Sequence, residues 1–215
     1  EFRRVLFRSK AISIFAAAKA GYSLNASYDC PGKYTVGNRD FTNYESKAQG
    51  RLSLKKGIAV SCDTLWYKIA YAEWLKDGGL NPKSPKDYFF NTAHQFQLDK
   101  KTGIDLPGEL SGRIPDRQWK NDFYKQNKDF YCNFQNRAKK SDLTPYLIAI
   151  AKENCTDGYI IRAGDAVNFS IGQGDTLVTP IQLAVAYAAI ANGGTLWRPW
   201  IARAVVNPAG KVIKE

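Results

Sequence analysis

Residues 61–75 read SCDTLWYKIAYAEWL, and their reading decides the rest of the chain. Leu65, Ile69 and Ala72 recur at helical spacing beside Trp66 and Tyr67, which predicts a helix ending near Gly78-Gly79. A shorter helix is expected over 52–60, so Ser61-Cys62-Asp63-Thr64 falls at a junction between two helices. Ser and Asp are favoured N-caps, and capping alone explains an S-x-D tripeptide in that place. Chemistry has to be argued from what else the chain supplies. The aromatic residues Trp66, Tyr67, Tyr71 and Trp74 are read as core, not as a platform for stacking sugars.

Outward from this junction, 10–20 alternates apolar and small residues at helical spacing and stops at Gly21, a good residue just past a helix end. Residues 22–50 are rich in Gly, Asn, Asp and aromatics; an irregular connection with a hairpin is expected, with a turn at 30–33 and a strand over 33–36. A helix is expected over 84–98, followed by a breaker-rich loop containing TGIDLPGE (102–109) and GRIP (112–115). Residues 122–161 start polar and aromatic and turn helical around 145–153, and 164–179 reads as loop. The clearest helix is 181–192, with Thr179 as cap, Pro180 at its first position and Gly193-Gly194 at its stop. Two strands are expected after it, over 196–206 and from 211 onward.

The 215 residues contain no Met, and the 44% hydrophobic content is that of a globular chain able to bury a core. A formal charge of +11 favours an anionic partner. The basic residues are spread along the sequence without zinc-finger or RNA-recognition motifs, so nucleic acid is not expected; a membrane surface, a lipid diphosphate or an anionic wall polymer suits the charge. Cysteines at 30, 62, 132 and 155 form no CxxC pair, and one histidine, His94, offers little to a metal, so neither metal nor cofactor is expected. Cys132 and Cys155 flank an insertion-like segment; a disulfide and two free thiols both fit. Gly172-Gln173-Gly174 lacks the strand and ribose-binding acid of a nucleotide site.

Four stretches in order, SCDTLWYKIAYAEWL, TGIDLPGE, GRIP and GDAVNFSIGQGDTLVTPIQLAVAYAAIANGG (164–194), resemble the transpeptidase domain of class B penicillin-binding proteins, most closely the elongation-type penicillin-binding protein 2 branch in its actinobacterial style. The family uses three motifs: S-x-x-K, S-x-N or S-x-D, and K-[ST]-G. Ser61-Cys62-Asp63 fits the second. Lys10 lies 51 residues earlier, and KAISIFAAAKAG (10–21) is similar to the helix that carries the first. The resemblance implies that Lys10 is the general base, that Ser61 relays a proton and that Asp63 holds the substrate amide and the lysine. A serine is a poor nucleophile until a base takes its proton, and residues three apart share a helix face.

Three before Lys10 stands Phe7, which cannot attack a carbonyl; the nucleophilic serine is expected to be absent from this chain. Lys101-Thr102-Gly103 spells the third motif but lies ahead of the TPIQL helix, where the family's K-T-G comes after it, so it is read as loop. Residues 1–9, EFRRVLFRS, are also the translation of GAG TTC AGA CGT GTG CTC TTC CGA TCT, similar to a short-read sequencing adaptor; they read as a scar, and 10–215 as a partial transpeptidase domain. Without that stretch, which holds three arginines against one glutamate, the charge is +9.

What the resemblance implies for fold is an α+β architecture, an antiparallel sheet covered by helices, here a mainly helical fragment. For function it implies a membrane-anchored, extracytoplasmic peptidoglycan D,D-transpeptidase. Its partners would be stem peptides and their lipid-linked precursor, a membrane-embedded glycosyltransferase of the elongation machinery, and beta-lactams as inhibitors. Two alternatives remain: a non-catalytic penicillin-recognising sensor or scaffold with this fold, and a class D type beta-lactamase.

Overall fold

The computed structural model describes residues 10–214. Helix α1 (Lys10–Lys19) opens the chain, and its small residues Ala16 and Ala17, both fully buried, let neighbouring helices approach closely. Gly21 follows with φ 91°, the left-handed stop that Gly adopts without strain. Strands β1 (Tyr28–Cys30), β2 (Lys33–Val36), β3 (Arg39–Thr42) and β4 (Gly50–Leu52) come next, with β2 pairing β3 and β1 pairing β4, both antiparallel. The β2–β3 hairpin is the one expected from sequence; the β1–β4 pair was not. Helix α2 (Leu54–Ala59) starts at its Ser53 cap and leads directly into α3 (Asp63–Lys76).

Helix α3 is the axis of the molecule. It buries Leu65, Trp66, Tyr67, Ile69 and Ala70, and also Thr64 and Glu73, so it is enclosed on most sides, as expected for a helix with no polar stripe. Trp66 and Tyr67 lie in the core and Tyr71 and Trp74 pack against it; the Trp74 indole N–H donates to the Ile161 carbonyl at 3.0 Å. The Tyr22 hydroxyl donates to buried Glu73 at 2.9 Å, and burial together with that carboxylate pushes the phenol up to about 12.

Helix α4 (Tyr88–Gln95) is shorter than the 84–98 expected. The Asp77 carboxylate captures the N–H groups of Lys86 and Asp87, and Asp87, at φ 46°, turns its carboxylate to a bidentate pair with Arg117. The backbone donors that would extend the helix are thus already held. Beyond the 102–116 loop, α5 (Arg117–Cys132), α6 (Phe134–Arg137) and α7 (Pro145–Asp157) form a helical hairpin whose ends are joined by the Cys132–Cys155 disulfide. Helix α5 begins well before the 145–153 stretch that read as helical; Asp116 caps it by accepting from the Trp119 N–H at 2.7 Å.

Helix α8 (Ala163–Ser170) corrects the reading of 164–179 as all loop. Its Gly164, Asn168 and Ser170 are weak helix formers, but Val167 and Phe169 bury against α3, and tertiary packing overrides propensity. Helix α9 (Pro180–Ala191) has the expected start, with a reciprocal Thr179–Gln182 capping box. Of the strand expected over 196–206, only β5 (Val205–Val206) forms, paired with β6 (Val212–Lys214). The preceding residues form no strand and bond elsewhere: the Ile201 and Ala202 N–H groups both donate to the Asp105 carboxylate at 2.8 Å. No helix among the described residues is long and apolar enough to cross a membrane.

The Asp105 bonds make a pH prediction. The Ala202 and Ile201 N–H groups hold its carboxyl below the ordinary carboxylate range. A depressed pKa gives stability that is complete above the unfolded value of about 3.9 and is lost as pH falls through the folded one. Exchange protection of the Ile201 and Ala202 amides, corrected for intrinsic rates, is therefore expected to stay level from about pH 8 to pH 5 and to vanish at lower pH. Protection surviving at pH 2 would mean that something other than the carboxylate docks this segment.

Candidate active site at the α2–α3 junction

The junction between α2 and α3 is three residues long, Val60–Cys62, and its middle residue has an unusual conformation. Ser61 sits at φ 55°, in the left-handed region that a non-glycine residue rarely occupies, between the end of α2 and the start of α3. Strained backbone of this kind collects at functional sites. On one side of Ser61 lies the start of α1; on the other, an open pocket of about 580 Å³ walled by Tyr44, Glu45, Lys47 and Gln49 and floored by Ser61 and Cys62.

The structure brings Lys10, Ser61 and Asp63 together although 51 and 53 residues separate the lysine from the other two. Lys10 Nζ donates to Ser61 Oγ at 2.8 Å and forms an ion pair with Asp63 Oδ1. Both members of the pair are buried, with Lys10 only 3% exposed and Asp63 8%. An ion pair removed from water costs desolvation that good geometry and further hydrogen bonds must offset. Ser61 supplies one such bond. Because Ser61 Oγ accepts from the lysine, its own O–H hydrogen is free to point at a third group, and a proton can pass through it in either direction.

Helix α1 is fixed in place by Ser13, one turn beyond Lys10 on the same buried face, whose hydroxyl donates to the Ser170 carbonyl of α8 at 2.5 Å. Helix α3 presents Asp63 in its first turn, and Tyr67, one turn later, lines the same region. Burial first, and then the negative Asp63, push the Tyr67 phenol well above the ordinary tyrosine range, so it remains a neutral ring against the core. Among the described residues, no group of three or more His, Cys, Asp or Glu side chains is placed to hold a metal ion.

Two features at this junction were not found in the sequence. Cys62, the middle residue of S-x-D, is disulfide-bonded to Cys30 of β1, with both sulfurs buried. An even cysteine count was the available signal, but 30 and 62 flank no visible insertion. Asn43 is the second: its buried amide bonds to five partners around the junction, the Cys30 sulfur among them, and nothing in a polar loop marks one Asn among several. Thr102 and Gly103 of the K-T-G look-alike are taken up by Glu109, which accepts from both of their N–H groups and from the Thr102 hydroxyl. His94 lies between the carboxylates of Asp99 and Asp116, bridging α4 to the cap of α5. Phe7 and the rest of 1–9 lie outside the described residues.

Residues 9–215 match the family described as penicillin binding protein transpeptidase domain. The chain belongs to that family. Within the transpeptidase family it is 28% identical, over 164 residues, to the peptidoglycan D,D-transpeptidase MrdA of Acinetobacter baumannii, covering 76% of this chain and 18% of that protein. This transpeptidase-domain chain therefore spans about a fifth of the length of that curated relative. Its fold is that of penicillin-binding protein PBP2 from Helicobacter pylori, solved in complex with MreC, at a TM-score of 0.69 and 22% identity over 94% of this chain and 30% of that one. It is also that of penicillin-binding protein A from M. tuberculosis in its ceftriaxone acyl-enzyme complex, at a TM-score of 0.62 and 19% identity over 100% of this chain and 37% of that one. The transpeptidase fold expected from the motifs is the one observed, and the small antiparallel sheets beside its helices make it α+β.

Proposed function

We propose that this chain contributes to the site of a peptidoglycan D,D-transpeptidase that works through an acyl-serine. The observation that carries the proposal is the contact of Lys10 Nζ with both Ser61 Oγ, at 2.8 Å, and the Asp63 carboxylate. In this reading Lys10 takes the proton from a serine one turn earlier on its helix as that oxygen attacks the carbonyl carbon between two terminal D-alanines of a stem peptide. Ser61 carries the proton on to the nitrogen of the departing D-alanine. In the second half, the amine of a neighbouring stem attacks the acyl-serine and loses its proton by the same route. Asp63 keeps the lysine in register and accepts from the substrate amide. General acid–base transfer by positioned groups of this kind accelerates reactions by about 10²–10⁴.

The serine is part of the proposal. Residues 1–9 are read as an adaptor-derived scar and 10–215 as part of a transpeptidase domain, which the start of the family match at residue 9 supports. Membrane anchoring, with this domain outside the cytoplasm, belongs to the same reading. Two disulfides among the described residues fit an oxidising compartment. Stem peptides and lipid-linked precursor would be the substrates, beta-lactams the inhibitors and a membrane glycosyltransferase of the elongation machinery the partner; a solved neighbour of the same fold in a peptidoglycan synthase complex that coordinates polymerization and crosslinking favours that partner.

The test is to sequence the source DNA upstream of the Lys10 codon with a different library chemistry and to label the resulting parent protein with a fluorescent penicillin. The expected result is Ser-x-x before Lys10 and a covalently labelled band. Recovery of EFRRVLFRS again, with no label, would replace the enzyme by the sensor or scaffold.

A further inference from the structure

We propose that Asn43 is a positioning residue for this chemistry: it caps α3 from a distant loop and so releases Ser61 and Asp63 to face Lys10. The inference rests on the transpeptidase reading above. A helix start leaves its first N–H groups without intrahelical partners, and a nearby Ser, Thr, Asp or Asn ordinarily takes one of them. Cys62 holds the cap position itself, and the hydroxyl and carboxylate nearest it are those of Ser61 and Asp63. Neither serves. The N–H groups of Asp63 and Thr64 both donate to Asn43 Oδ1 at 2.9 Å, and that of Leu65 donates to Cys62 Sγ at 3.3 Å. A side chain folded over the helix end cannot at the same time reach the lysine, so the borrowed cap is what leaves the hydroxyl and the carboxylate available.

The other end of the amide explains why this residue is an asparagine. Asn43 Nδ2 donates to the Pro31 carbonyl at 2.9 Å and to the Lys47 carbonyl at 2.8 Å, and the residue is 6% exposed. An aspartate would accept the same two N–H bonds and gain from the helix dipole. It would also lose both donors and set a second negative charge beside Asp63. The neutral amide adds no charge beside the Lys10–Asp63 pair.

The experiment uses the parent protein carrying its serine, with Asn43→Ala and Asn43→Asp. Beta-lactam acylation is resolved into an initial binding constant and an acylation rate constant per titrated site. Asn43→Ala is expected to lower the rate constant about tenfold while the binding constant moves less than about twofold, the size of effect that a lost cap supplies. A rate constant per site equal to wild type, with only stability or the fraction of active sites reduced, overturns the proposal. If Asn43→Ala does not fold, Asn43→Asp decides. It should acylate more slowly, with the acid limb of its pH–rate profile moved to higher pH, because added negative charge beside Lys10 and Asp63 holds protons in the site; an unchanged rate and profile overturn the proposal. Amide exchange in the wild-type protein is read separately. Asp63 and Thr64 should be protected, and fast exchange there removes the cap. A wild-type parent that never acylates fails the transpeptidase reading instead, and the positioning role falls with it.

Discussion

Asp63→Ala is expected to destabilise the protein by about 3–5 kcal/mol and to abolish penicillin labelling, the largest effect of any single change at the junction. The size follows from what is left behind. Lys10 is 3% exposed and fixed by α1, so it cannot swing out to water when its carboxylate partner disappears. A charge that has lost its carboxylate partner then stays in the interior. Urea unfolding of the parent protein and of the variant measures the cost, and a loss below about 1 kcal/mol would mean that water reaches the lysine. A paired replacement separates stability from chemistry. Lys10→Met with Asp63→Leu removes both charges and fills the space, which is often neutral or stabilising for a buried pair. That double variant is expected to recover most of the lost stability and none of the labelling. If it labels, the lysine is not the base.

The second large effect is expected at the Cys30–Cys62 bridge. Its cysteines are 32 residues apart in sequence, and closing a loop of that length removes unfolded-state freedom worth about 4 kcal/mol in the chain-entropy account. Cys30→Ser with Cys62→Ser should lower stability by about that amount and slow acylation as well, since Cys62 stands between Ser61 and Asp63 and caps α3. The Cys132–Cys155 bridge is the internal control. With a separation of 23 its loss should cost nearly as much, about 3.5 kcal/mol, yet it joins α5 to α7 and touches none of Lys10, Ser61 or Asp63. Its double serine variant is expected to label at the wild-type rate per folded molecule. Equal slowing in both variants would mean that acylation follows global stability and not the junction.

What could be read in advance depended on how local the determinants were. Helix α9 announces itself because cap, proline and glycine stop all lie within its own sequence, and the β2–β3 hairpin is set by Gly37 and its neighbours. That Lys10 meets Ser61 and Asp63 was legible through the resemblance, in motif order and spacing. Helix α8 was not, since Val167 and Phe169 form a helix by packing on α3, a partner about a hundred residues away. The segment ahead of β5 differs for a similar reason: its apolar run suits a strand, but the Ile201 and Ala202 donors go to one aspartate in the TGIDLPGE loop. Asn43 was invisible because its meaning lies wholly in which distant groups its amide meets. Local chemistry is written in the sequence; borrowed chemistry is written in the fold.

The hairpin of α5 and α7 has an evolutionary consequence. Its helices pack chiefly on each other, the disulfide closes it, and it is tied to the rest of the domain largely by polar side chains: the bidentate Arg117–Asp87 pair, the Lys120–Asp165 ion pair at 2.8 Å, the Arg162–Glu153 pair at 2.6 Å and Arg113 lying over the Trp119 ring. An element so nearly self-sufficient can lengthen, shorten or change its outward residues under selection while the lysine and serine keep their spacing. Diversity among related chains should accumulate there first, and an antibody raised against it would distinguish close relatives that a ligand for the junction could not tell apart.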